Sequence, residues 1–168
     1  WLDNDLAMIC PAGQVDTEEG KQAIMDQQFA SFPKALWYMS RFVSDMPDEA
    51  GKWAIAPCPV FEEGQSRSVG IGGTGTVVTQ QSADPELAAD FIAYAKCSYD
   101  GCVGIWEDLG FDVVNKSVWK DPAITQDTSN KYIAFFRTNP FDVLNEIENE
   151  IEAITVNSNT FILGDYLN

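Results

Sequence analysis

Trp37 and Tyr38 stand side by side, with Arg41 one helical turn on. Flat aromatic faces stack on the C–H faces of sugar rings, while a tyrosine hydroxyl and an arginine guanidinium donate to sugar hydroxyls. The trio therefore suits recognition of a polyol. Composition alone leaves a second reading open, in which both rings simply fill a core. The other conspicuous pattern is glycine: Gly70, Gly72, Gly73 and Gly75 fall within six residues. Gly70-x-Gly72-x-x-Gly75 matches the GxGxxG of dinucleotide sites, and Asp90 lies at a suggestive distance beyond it. That motif needs a strand before it and a helix directly after it, so that phosphate meets the helix N-terminus. Here Thr76, Val77, Val78 and Thr79 form a β-branched run that reads as a strand, and the next helix starts only at Asp84. This argues against nucleotide binding. No GxxxxGK[ST] exists, which removes the P-loop outright.

Other chemistries find little support. Histidine is absent, which takes away the commonest general base and the commonest zinc ligand. Two carboxylates at suitable separation would permit glycoside hydrolysis, but among 26 acids no pair stands out. The four cysteines, at 10, 58, 97 and 102, include no CxxC pair, which weighs against a zinc ribbon or a thioredoxin-like site. Cys97 and Cys102 are near enough in sequence to bridge around a helix end if their Cα atoms come within about 7 Å. Buried free thiols are the alternative.

With 26 acids against 10 bases the net charge is −16, a surface that repels phosphate backbones and makes nucleic acid and anionic membranes poor partners. The excess acid reads first as a solubility device. At 45% hydrophobic residues the chain can bury a sizeable core, and no apolar run is long enough to span a membrane. A start at Trp1 without an initiator methionine, and an end soon after an unfinished apolar pattern, suggest a piece of something longer.

The elements that must position these residues follow from caps and periodicity. Asp16 or Thr17 starts a short helix with Glu18 and Glu19 in its first turn. Residues 29–38 read as extended, with Pro33 excluding a central ladder position. Residues 40–45 form a short helix stopped near Pro47. Residues 53–56 are an apolar run of strand length closed by Pro57 and Pro59. Asp84-Pro85-Glu86 is a strong helix start, and Leu87, Ala88, Phe91, Ile92 and Ala95 share one face. A second helix over 100–109 ends at Gly110, residues 111–119 read as extended or irregular, and residues 130–136 form another short helix. Asn139-Pro140 opens a last helix lined by Val143, Leu144, Ile147, Ile151 and Ile154, with Glu146, Glu148, Glu150 and Glu152 as a solvated face. Strands alternating with helices point to an α/β fold.

The succession FPKALWYMSRFVSDMP, GKWAIAPCPVFEEGQSRSVGIGGTGTVVTQQSADPELAADFIAYAK and WEDLGF…FFRTNPFDVLNEI resembles the extracellular solute-binding proteins of carbohydrate ABC transporters, over about residues 17–157. The likeness is nearest to the branch that binds arabinose-containing or other oligosaccharides. It implies a periplasmic-binding-protein-like fold of type II, in which two α/β lobes close on a sugar. Residues 1–66 would then belong to the C-terminal lobe, residues 67–118 would cross to the N-terminal lobe with a strand and two helices, and residues 119–168 would return. Trp37 with Tyr38 and Arg41 would flank the ligand. Gly72, Gly73 and Thr74 would pass it at the hinge with exposed backbone amides, and Phe141 would sit near another sugar-facing position. The resemblance implies a non-enzyme: a monomer outside the cell, periplasmic or lipid-anchored, that binds a sugar without metal or cofactor and presents it to a membrane permease. Much of the first lobe and the anchor would lie outside this chain. The competing expectations are a glycoside hydrolase and a non-catalytic surface adhesion module.

Overall fold

The computed structural model describes residues 1–70 and 73–151. Eight α-helices are present among them: α1 Glu18–Met25, α2 Met39–Asp45, α3 Pro85–Cys97, α4 Tyr99–Leu109, α5 Lys116–Trp119, α6 Pro122–Thr125, α7 Lys131–Phe135 and α8 Pro140–Glu146. Most begin where a short polar side chain takes an orphan backbone amide. Thr17 accepts from the Gly20 amide, Asp84 from Leu87 and Ser98 from Gly101, each at 3.0 Å, and Asn139 accepts from Phe141 at 2.9 Å. Each such cap stabilises its helix by about 1 kcal/mol. Gly110 ends α4 at φ 65°, a left-handed conformation that glycine adopts without strain.

Several expectations need correction. Residues 29–35 are irregular, but Leu36–Tyr38 coil into a 3₁₀ turn that runs directly into α2. The stretch read as extended or irregular over 111–119 closes in α5, capped by Asn115. The last helix stops at Glu146, and Glu148–Glu150 form a separate 3₁₀ turn; Ile154 lies outside the described residues. No strand occurs among the described residues, so the α/β expectation is not met in them. Residues 53–56 are tied to 137–138, partly through a side chain. The Arg137 amide donates to the Trp53 carbonyl at 2.9 Å, and the Thr138 hydroxyl accepts from the Ile55 amide and donates to its carbonyl. Residues 76–79 form no strand pairing among the described residues. A β-branched run becomes a strand only when another segment takes its backbone groups.

The core lies in two joined clusters. One packs Met39, Cys102, Trp106, Val118, Trp119, Tyr132, Phe141 and Leu144; the other packs Val15, Ile24, Tyr38, Phe42, Met46 and Phe135. Val43 and Phe136 touch both. Phe42 is the aromatic hub, with the rings of Phe32, Tyr38, Trp53, Phe135 and Phe136 at 5.4–6.3 Å. Cys102 and Trp106 share one cluster with Met39 and Phe141, and the Trp106 and Phe141 rings meet at 4.5 Å.

All four cysteines are free. Cys97 is exposed, whereas Cys102 is buried and its thiol donates to the Lys96 carbonyl, so the expected bridge is not formed.

Helix α3 is the exception to this burial. None of its residues is buried, and Leu87, Phe91 and Tyr94 remain 64%, 68% and 59% exposed. It is held through α4, where Gly101 lets the backbones meet: a Cβ there would lie 2.4 Å from the Tyr94 carbonyl oxygen.

Candidate functional site

The 3₁₀ turn and α2 carry the aromatic pair, and they separate its two members. Tyr38 is 2% exposed; its hydroxyl donates to the Val15 carbonyl at 2.6 Å, and its ring lies edge-on to Phe32 and Phe42. Burial, with the Asp16 carboxylate adding to it, pushes the phenol up to about 12. This ring belongs to the core. Trp37 stays half-buried, edge-on to Tyr38 at 5.7 Å. Lys34 holds its ammonium 5.2 Å from the Trp37 ring centre and 5.1 Å from that of Tyr38, and is itself paired with Asp16. Arg41 is exposed and makes no ion pair among the described residues. Trp37 thus offers a partly open face with one cation against it and another on the next turn.

The remaining expected site residues lie elsewhere. Gly73 and Thr74 are exposed on a separate segment, and a Cβ at Gly73 would meet nothing within 4 Å; Gly72 lies outside the described residues. Phe141 is 2% exposed and packs its ring 4.5 Å from Trp106, with no face toward solvent. Trp37 and Arg41 therefore stay accessible to solvent, whereas Tyr38 and Phe141 are buried in the packing. Lys34 is not singled out by the sequence. A cation three residues before a tryptophan is common, and only the 3₁₀ turn brings this one over the ring.

Two shallow depressions lie among the described residues, and neither is lined by Trp37 or Arg41. One, of about 430 Å³, lies between residues 77–82 and α3 and is lined by Val77, Val78, Ala88, Phe91 and Ile92. The other, of about 410 Å³, is lined by Gln27, Gln28, Phe29, Lys52 and Trp53. Trp53 is oriented by Glu49, a carboxylate 3% exposed that accepts from the indole Nε1 at 2.9 Å and from the Lys52 ammonium at 2.8 Å. The Lys52 contact holds the Glu49 carboxyl below its usual range against the opposing pull of burial.

The chain is 44% identical over 157 residues to an arabinooligosaccharide-binding protein of Halalkalibacterium halodurans, and 40% identical over 168 residues to one of Bacillus subtilis. These matches cover 94% and 98% of the chain. The chain is thus a homologue, over nearly its whole length, of part of these arabinooligosaccharide-binding proteins. A lactose-binding protein of Rhizobium radiobacter is 32% identical over 48% of the chain and 19% of that protein. All three bear the names of binding proteins. The chain spans 35% and 38% of the first two relatives' length. No family model matches it, and no solved structure does.

Proposed function

We propose that the natural polypeptide carrying this chain binds an arabinose-containing or related oligosaccharide and presents it to a membrane permease for uptake. The observation that carries this reading is the identity of 44% and 40%, over nearly the whole chain, to two arabinooligosaccharide-binding proteins. The Trp37 site suits the ligand. A half-buried indole stacks on a sugar face with little loss of freedom, and Arg41 beside it donates to hydroxyls. Lys34 polarises the same ring and fixes its plane. In this reading the chain supplies one wall of an interlobe cleft, Gly72, Gly73 and Thr74 approach the sugar with backbone amides, and Phe141 and Tyr38 support the wall from behind. The apolar face of α3, with Phe91 68% exposed, would meet the other lobe. The binding protein would work as a monomer outside the cell, anchored to the surface or free in a periplasm.

Calorimetry of the natural polypeptide against arabino-, xylo- and malto-oligosaccharides tests the proposal. Binding is expected for at least one arabinose-containing member. Trp37→Ala should weaken it by about 30-fold or more, as loss of an aromatic anchor does. Heat from none of the sugars, or an unchanged affinity in the variant, would overturn the assignment.

A further inference from the structure

The acidic turn at the end of α8 does more than face solvent. Arg67 forks onto it: its Nε lies 3.0 and 3.1 Å from the two Glu150 carboxylate oxygens, its second terminal nitrogen 2.5 Å from Glu150 Oε1, and its first terminal nitrogen pairs with Glu146. The Arg67 backbone amide donates to Glu150 Oε2 at 2.8 Å, and the Ser66 hydroxyl donates to the Glu150 carbonyl at 2.8 Å. Between these acids, Glu148 takes Lys120 at 2.7 Å and Lys116 at 3.3 Å. Three of the chain's ten bases thus converge on residues 146–150.

These contacts fall on the two flanks of one excursion. From residue 69 to the end of α3 at Cys97 no described residue is buried. The chain leaves for that excursion directly after Ser66–Ser68. It rejoins the core through α4 and α5, where Asn115 donates to the Cys97 carbonyl and Lys116 and Lys120 sit on α5 and just after it. A bidentate arginine with an added backbone bond is geometrically restrictive, unlike a lone surface pair.

We infer that Glu146, Glu148 and Glu150 form a single staple that fastens both flanks of the 69–97 excursion, so that the departing and returning segments are mechanically joined. Movement of the excursion is then transmitted to α8 at both points together. The inference concerns the scaffold and does not depend on which ligand is bound.

Hydrogen–deuterium exchange of the natural polypeptide, without ligand, tests this directly. Arg67→Met should speed exchange at residues 66–69 by about threefold to tenfold, the range expected when an ion-pair network opens. The distinguishing result lies at the other flank. Exchange over 114–120 should rise in the same variant, and Lys116→Met with Lys120→Met should in turn speed 66–69. Arg67→Lys, which keeps the charge and loses the fork, should fall between and provides the reading if Arg67→Met does not fold. Changes confined to each variant's own neighbourhood would show two independent local pairs and overturn the staple, as would no change at either flank. Sugar titrations play no part in this readout, so the two proposals fail separately.

Discussion

Replacing Tyr38 by phenylalanine deletes one oxygen and separates a structural ring from a ligand-binding one. That oxygen donates to the Val15 carbonyl at 2.6 Å in a place where Tyr38 is 2% and Val15 9% exposed. The net value of such a bond is about 1 kcal/mol, and a buried carbonyl left without a donor adds a penalty of comparable size. The ring's edge contacts with Phe32 and Phe42, at 6.0 and 5.8 Å, survive unchanged. The expected loss of stability is therefore about 1–2 kcal/mol, read as a lowered midpoint in urea unfolding with an unchanged slope. Oligosaccharide affinity by calorimetry should stay within about twofold, since the hydroxyl faces Val15 and not solvent. The phenol's high pKa, about 12, also predicts that it does not ionise in alkaline titration until well above an ordinary tyrosine. A variant of full stability and much weakened sugar binding would refute this assignment, and would move Tyr38 back among the ligand contacts.

Two further outcomes follow from the geometry. Gly20→Ala would place a Cβ 2.3 Å from the Gln14 carbonyl oxygen and 2.7 Å from Val15 Cα, both backbone atoms, so α1 or the loop before it must shift. A destabilisation above about 2 kcal/mol is expected, and a melting curve like that of the parent would contradict the packing. Glu49 has a lowered pKa, held chiefly by Lys52 and helped by the Trp53 indole, so the stability it contributes is present above the unfolded carboxylate pKa and is lost as pH falls through the folded one. Glu49→Gln should therefore destabilise the protein at pH 7, and the difference from the parent should shrink below about pH 4.5. Comparing the two proteins cancels the relief of general charge repulsion. A difference that persists or grows in acid would refute the linkage.

Much of the local structure was legible in the chain. Thr17, Asp84, Asn130 and Asn139 mark helix starts because a short polar side chain satisfies a nearby amide whatever the rest of the fold does. Gly110 marks the end of α4 for an equally local reason: its backbone is left-handed. The order of motifs from Trp37 through the glycine segment to the Asp84-Pro85 helix also sufficed to place the chain among sugar-binding relatives. These are properties of sequence neighbours, or of the sequence compared with others.

Tertiary structure alone decided which of two adjacent aromatics is free. Trp37 and Tyr38 are equivalent in composition, and only the 3₁₀ turn rotates Tyr38 onto Val15 while leaving a face of Trp37 exposed. The family resemblance implies Phe141 as a sugar-facing residue, and it is buried, with α4 bringing Trp106 against it from more than thirty residues away. The β-branched run 76–79 has the propensity of a strand and no partner among the described residues, since pairing is supplied by another segment and not by the run itself. The glutamates read as a solvated face acquire Arg67, Lys116 and Lys120 from distant points of the chain. Caps and turns are set by side chains a few residues apart and so are written in the sequence. Which face is buried, which acid is paired and which ring is open depend on contacts between segments, and these exist only once the chain has folded.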